Sequence, residues 1–140
     1  MTAARWEHFE HQADIGLRGY GATLEEAFAQ IALALTAVVA DPESVRAEQP
    51  VEIRCSASDA ETLLVDWLNA LVYEMAARRM VFSRFDVRVE DSSLRATARG
   101  ETIEPARHRP GVEVKAATYH ALAVRHESDG GWLAQCVVDV

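Results

Sequence analysis

Lysine is almost absent from this chain: of its fourteen basic residues, only Lys115 is not an arginine. Where arginine serves as the general positive charge, a lone lysine marks a position suited to a compact, strongly hydrated ammonium. Cysteine is nearly as scarce. Cys55 and Cys136 stand far apart in no CxxC or Cys/His pattern, which argues against a disulfide framework and a zinc site and leaves two reduced, buried thiols as the expectation. No apolar run is long enough to span a membrane, and Met1 to Arg5 lacks the apolar stretch of a signal peptide, so a cytoplasmic protein without membrane contact is expected. Net positive charge is missing too. With a formal charge of -8 and a pI near 5.1, the chain is not expected to bind nucleic acid strongly on its own, since phosphate contacts need clustered Lys and Arg. Basic partners or cations suit such a body better. There is also no Gly-x-Ser-x-Gly elbow, no phosphate-cradling glycine loop, no internal repeat and no low-complexity tract.

What remains is regular. The length of 140 residues suits one domain over residues 1–140. Trp6 to His11 alternates as a strand, Asp14-Ile15-Gly16 reads as a turn or bulge, and Ile15, Leu17 and Gly19 start a second short strand. Thr23-Leu24-Glu25-Glu26 has capping-box spacing, with Glu26 able to reach back to the Thr23 amide. Leu24, Ala27, Phe28, Ile31, Leu35 and Val38 then form a helical stripe that Asp41-Pro42 stops. Val51, Ile53 and Cys55 alternate in a strand with one wet face. Ser58 and Glu61 repeat the cap spacing, with Asp59 as a second candidate, ahead of a bulkier stripe of Leu64, Trp67, Leu68, Leu71 and Met75 placed over the centre of a sheet. Four strands follow. Phe85, Val87 and Val89 turn at Asp91-Ser92-Ser93 into Leu94, Ala96 and Ala98. Ile103 to Gly111 is the longest irregular segment. Val112 to His126 reads as one strand kinked at Ala116-Ala117, and Ser128-Asp129-Gly130-Gly131 turns into the last strand, Trp132 to Val140. The order predicts an α+β fold: an antiparallel or mixed sheet with two helices packed on one face.

The chemistry concentrates at both ends of this order. Asp14 lies in an interrupted strand-like run that Gly16 ends, and Asp139 follows the apolar Val137-Val138 pair, so the α-carboxylate of Val140 stands directly after it. If the two segments lie side by side, three carboxylates converge in an all-oxygen cluster suited to Ca²⁺ or Mg²⁺. The bland alternative makes Asp14 a turn former. His11 and His120 are candidates for a general-base pair or, more blandly, for hydrogen-bonded structural residues.

Five segments together are more specific than any one. His11-Gln12-Ala13-Asp14-Ile15-Gly16, Gly21 to Phe28, Leu64 to Asn69, Val114 to His120 and Val138-Asp139-Val140 resemble the archease family, in that family's order and over nearly the whole chain. Gln12 departs from the family's usual Thr, and the Arg107-His108-Arg109 loop is similar to the family's. The resemblance implies a strand-helix-strand-strand type module. Its implied role is that of an accessory protein, not itself an enzyme, for the RtcB-type RNA-splicing ligase of tRNA splicing and RNA repair, promoting guanylylation and multiple turnover of the ligase. It also implies a divalent cation, most often calcium, held by Asp14, Asp139 and Val140, a characteristic lysine at Lys115, and partner-facing roles for His11 and His120. A monomer is favoured. The rival expectation is a chaperone-like or ligand-binding module whose apolar groove works without a metal.

Overall fold

The first two strands, β1 (Arg5–His11) and β2 (Asp14–Gly21), form a hairpin around Gln12 and Ala13, with Gln12 in the left-handed region at φ 55°. The computed structural model describes residues 2–140. Asp14, Ile15 and Gly16, expected in a turn, are already paired in β2. Gly16 stands opposite Phe9, whose ring occupies the space a Gly16 side chain would need, so the glycine answers a neighbour's bulk rather than a change of chain direction.

Helix α1 (Leu24–Val39) begins as the sequence implies: the Glu26 amide donates to the Thr23 hydroxyl at 3.1 Å. The Glu26 carboxylate accepts from the Ala22 amide at 3.5 Å rather than from Thr23. The helix buries Ala27, Phe28, Ile31 and Leu35 and lies close against β2, because Gly19 has no Cβ to collide with the Ala27 carbonyl and the Ile31 backbone. Beyond it, Asp41 caps a short 3-10 turn, Pro42–Ser44, by accepting the Glu43 amide at 3.0 Å.

Strand β3 (Gln49–Ser56) leads to helix α2 (Ala60–Arg78), whose cap is Asp59 rather than Ser58. Its carboxylate accepts the Thr62 amide at 2.8 Å and is held below the usual carboxylate range by that bond. Arg79 closes α2 in the left-handed region at φ 54°. Strands β4 (Met80–Glu90) and β5 (Ser93–Thr102) form the next hairpin. Then come the short helix α3 (Pro105–His108) and three strands, β6 (Ala116–Ala117), β7 (Ala123–His126) and β8 (Trp132–Asp139).

The fold is α+β, as expected, and its strands divide between two antiparallel sheets. The middle of the chain supplies β3-β5-β4, and its two ends supply β1-β2-β8 with β6 and β7 both paired to the far side of β8. The bulky stripe of α2 therefore covers no single sheet centre. It packs against strands of both sheets, and the Trp67 indole N–H donates to the Phe28 carbonyl at 3.1 Å, tying α2 to α1 inside the core.

Two segments differ from their sequence readings. Val112 to His126 is not one strand: residues 112–115 lie outside strand structure, and the chain leaves β8 between Thr118 and Leu122. The Thr118 hydroxyl donates to the Val137 carbonyl at 2.8 Å and accepts the His120 amide at 3.2 Å, turning the chain where continued pairing would have kept it straight. Ala121 completes the excursion at φ 50°. The segment Ile103 to Gly111, read as irregular, holds α3 and a buried ionic cluster. Glu101 accepts from both terminal guanidinium nitrogens of Arg107, at 2.8 and 2.6 Å, and from the Arg46 amide at 2.7 Å. The Glu104 amide donates to His108 Nδ1 at 2.8 Å, so the ring proton is on Nε2, which donates to Glu101 at 3.0 Å. These bonds, Arg107 foremost, hold the Glu101 carboxyl far below its ordinary value.

Candidate functional site

The register between β2 and β8 decides what meets at the end of the larger sheet. Leu17 pairs with Cys136, Gly16 with Val137 and Ile15 with Val138. One step further along this antiparallel pair stand Asp14, the first residue of β2, and Asp139, the last of β8. Alternation puts both on the face that carries Arg18 and Gln135, whose side chains are hydrogen-bonded at 2.6 Å, while Leu17, Cys136 and Val138 point into the core from the other face. Asp139 is exposed and Asp14 half-buried.

Neighbouring elements bring in the remaining sequence-predicted residues. Ala116 pairs with Asp139, and the Lys115 amide donates to the Asp139 carbonyl at 2.8 Å, so the chain's one lysine lies alongside the last aspartate. Val140 packs against the core as a partly buried residue, which fixes the chain beyond Asp139. His11 pairs with Asp14 across the first hairpin. Its ring lies 6.0 Å from that of His120 between centroids, and its Nδ1 is buried with no hydrogen-bond partner among the described residues. Asp14, Asp139, Val140, Lys115, His11 and His120 thus gather at one end of one sheet.

Two supports escape sequence reasoning. Asn69, on α2, accepts the Ala117 amide at 2.8 Å and holds β6 in place beneath Lys115. In the sequence it shows only as a polar residue beside an otherwise apolar helical stripe, at the end of the Leu64 to Asn69 segment, with nothing to name its partner. Cys136 donates its thiol to the Thr118 carbonyl at 3.1 Å, and burial pushes that thiol up to about 11. The thiol therefore acts as a small donor packed behind the site. Cys55 is half-buried rather than buried.

Chemically the arrangement is a partly exposed, oxygen-rich corner with the main chain of Lys115 beside it. Among the described residues no three His, Cys, Asp or Glu side chains converge, so the corner offers two aspartates and no soft ligand set. Two aspartates with backbone oxygens and water suit a hard cation and not zinc. Elsewhere, an open apolar groove of about 240 Å³ beside α2 is lined by Val72, Met75, Met80, Ile103, Val112 and Val114. Among the described residues no helix is long and apolar enough to cross a membrane.

Comparison with known proteins gives one answer. The profile of the Archease protein family matches residues 6–140. Protein archease of Pyrococcus furiosus is 42% identical over 140 residues, covering 97% of this chain and 99% of its own. Protein archease of Methanosarcina mazei is 40% identical over 141 residues, covering 97% and 96%. The solution structure of protein 1598 of Methanobacterium thermoautotrophicum superposes with a TM-score of 0.83 at 33% identity, covering 96% of this chain and 98% of that one. The crystal structure of an archease from Thermotoga maritima, described as a possible chaperone, shares the fold with a TM-score of 0.60 at 22% identity.

Proposed function

Because this chain belongs to the archease family, we propose that it is a cytoplasmic accessory factor of an RtcB-type RNA-splicing ligase, promoting guanylylation of the ligase and hence its multiple turnover. Asp14, Asp139 and the α-carboxylate of Val140 hold a divalent cation, Ca²⁺ by preference, and Lys115, His11 and His120 face the ligase. What supports the reading is the register that sets the start of β2 against the end of β8, with Lys115 hydrogen-bonded to the same strand. Both aspartates share an outward face that a partner can reach. The donor set is all oxygen, and the partnerless His11 nitrogen leaves a polar atom for a group from outside the chain.

A bound divalent cation supplies positive charge against nucleotide phosphates during guanylate transfer. The chain's own contribution is positional. Val140 anchored in the core keeps the end of β8 from fraying, and pairing of Val138 with β2 and of Asp139 with β6 holds that end from both sides. Lys115 offsets the carboxylates' repulsion when the corner is empty and faces phosphate oxygens when the ligase is docked.

Ligase guanylylation is measured with the wild-type chain, Asp14→Ala and Asp139→Ala. Stimulation is lost in both variants; full stimulation by both would remove the carboxylates from the activity. The second reading, a chaperone-like module, rests on the apolar groove beside α2. It expects Val112→Asp to abolish activity and a short C-terminal extension to be harmless, whereas the carboxylate reading expects the reverse.

A further inference from the structure

The outer face of the β3-β5-β4 sheet carries a row of arginines that nothing above uses. Register places Arg54 opposite Arg95 and Arg95 opposite Arg88, so one rung across all three strands is Arg-Arg-Arg, every member exposed. Like charges set directly opposite one another destabilise a sheet. None of the three lies within ion-pair distance of a carboxylate among the described residues, although Glu52, Asp86 and Glu90 are on the same face. The flanking rungs alternate in character: Glu52-Thr97-Asp86 on one side, with Glu52 accepting the Thr97 hydroxyl at 2.8 Å, and Ser56-Ser93-Glu90 on the other. Beyond the first comes Pro50-Arg99-Arg84. Arg54, Arg88 and Arg95 line an open polar basin of about 380 Å³ with Glu52, Asp86 and Thr97.

We propose that this arginine rung is a docking track for the phosphodiester backbone of a single nucleic-acid strand, engaging two or three consecutive phosphates. The inference is independent of the carboxylate site and of the ligase reading.

Charge pattern and width select this occupant. Strands lie about 4.8 Å apart, so the rung spans about 10 Å before the side chains splay, which is room for a few phosphates in line. Acidic positions about 7 Å to either side make the positive row one strand wide, and bar a broad anionic surface such as a membrane or an acidic protein face. A line of evenly spaced single negative charges matches the row, and guanidinium forks meet phosphate oxygens two at a time. No large aromatic side chain is exposed on this face, so bases are not stacked and sequence is not read. The chain's charge of -8 keeps the contact local and weak, in keeping with a protein that does not coat nucleic acid.

The test is fluorescence anisotropy of the full chain with a short labelled single-stranded RNA at low salt, repeated with an RNA of unrelated sequence. Combined Arg54→Gln, Arg88→Gln and Arg95→Gln substitution weakens binding by about tenfold or more and flattens the salt dependence by about two counterions, whereas Arg125→Gln leaves both unchanged. The three side chains are exposed and their mutual repulsion is removed, so the variant melts no lower than the wild type. If it melts lower, Arg95→Gln alone carries the test, with a smaller loss in the same direction. Both RNAs bind equally. Undiminished binding by the variants, absence of binding by the wild type, preference for one sequence, or equal competition by a polyglutamate peptide would overturn the proposal.

Discussion

The backbone amide of Lys115 is bonded to the carbonyl of Asp139 at 2.8 Å, which ties the chain's one lysine to its last aspartate through atoms that no side-chain substitution removes. Position and chemistry at Lys115 are therefore separable by mutation. Lys115→Ala and Lys115→Arg both keep the melting temperature of the wild type, because the side chain is exposed and the strand contact is made by the main chain. Under the proposed ligase function, guanylylation falls with both, and Arg does not rescue Ala, since a planar guanidinium does not replace a compact ammonium. Full rescue by Arg would reduce Lys115 to a generic charge.

The glycines of β2 give a graded pair of stabilities. Ala at Gly16 meets the ring of Phe9, a side chain that can swing aside, and costs about 1 kcal/mol. Ala at Gly19 meets the backbone of α1 at Ala27 and Ile31, which cannot move alone, and costs about 3 kcal/mol. Urea denaturation of the two variants checks the ranking.

The Glu101 cluster carries a pH signature. Hydrogen bonds from Arg107, the Arg46 amide and His108 depress the folded-state pKa of Glu101 below its ordinary 4.5. The stability this adds is therefore fully present above 4.5 and is withdrawn as pH falls below it toward the folded-state value. Glu101→Gln lowers the melting temperature by roughly 5–10 °C at neutral pH. The melting curves of variant and wild type converge as the medium is acidified from around pH 5 downward. A constant gap across that range would show the charge to be idle.

Thiol reactivity follows burial. With Cys136 pushed up to about 11 and fully enclosed, only about one molecule in a thousand carries its thiolate at about pH 8. An aromatic disulfide reagent modifies half-buried Cys55 first, and reaches Cys136 only when denaturant opens the fold.

Helix caps, strand alternation and turn residues were readable because each is a local property with a period or a short motif. Thr23, Asp41-Pro42 and Asp91-Ser92 all act within a few residues of themselves. The strands that bring Asp14 and Asp139 to one end of the larger sheet were readable as strands, but alternation could state their proximity only on the condition that the two segments lie side by side; the register supplies that condition. What stayed hidden depends on partners distant in sequence. Gly16 looks like a turn until Phe9 is seen opposite it, and the break after Ala117 needs the Val137 carbonyl to capture Thr118. The role of Asn69 needs the amide of Ala117, which lies far along the chain. The division into two sheets is also non-local, since alternation states which face of a strand is wet and not which strand lies beside it.

Strand β8 lies between β2 on one side and β6 and β7 on the other, and is the final strand of the sequence. A chain emerging from the ribosome can close the middle hairpin, cap both long helices and pair β1 with β2, but its larger sheet has a gap at the centre until β8 clears the exit tunnel. Nascent and prematurely terminated chains thus keep open strand edges of the kind that chaperones and proteases recognise.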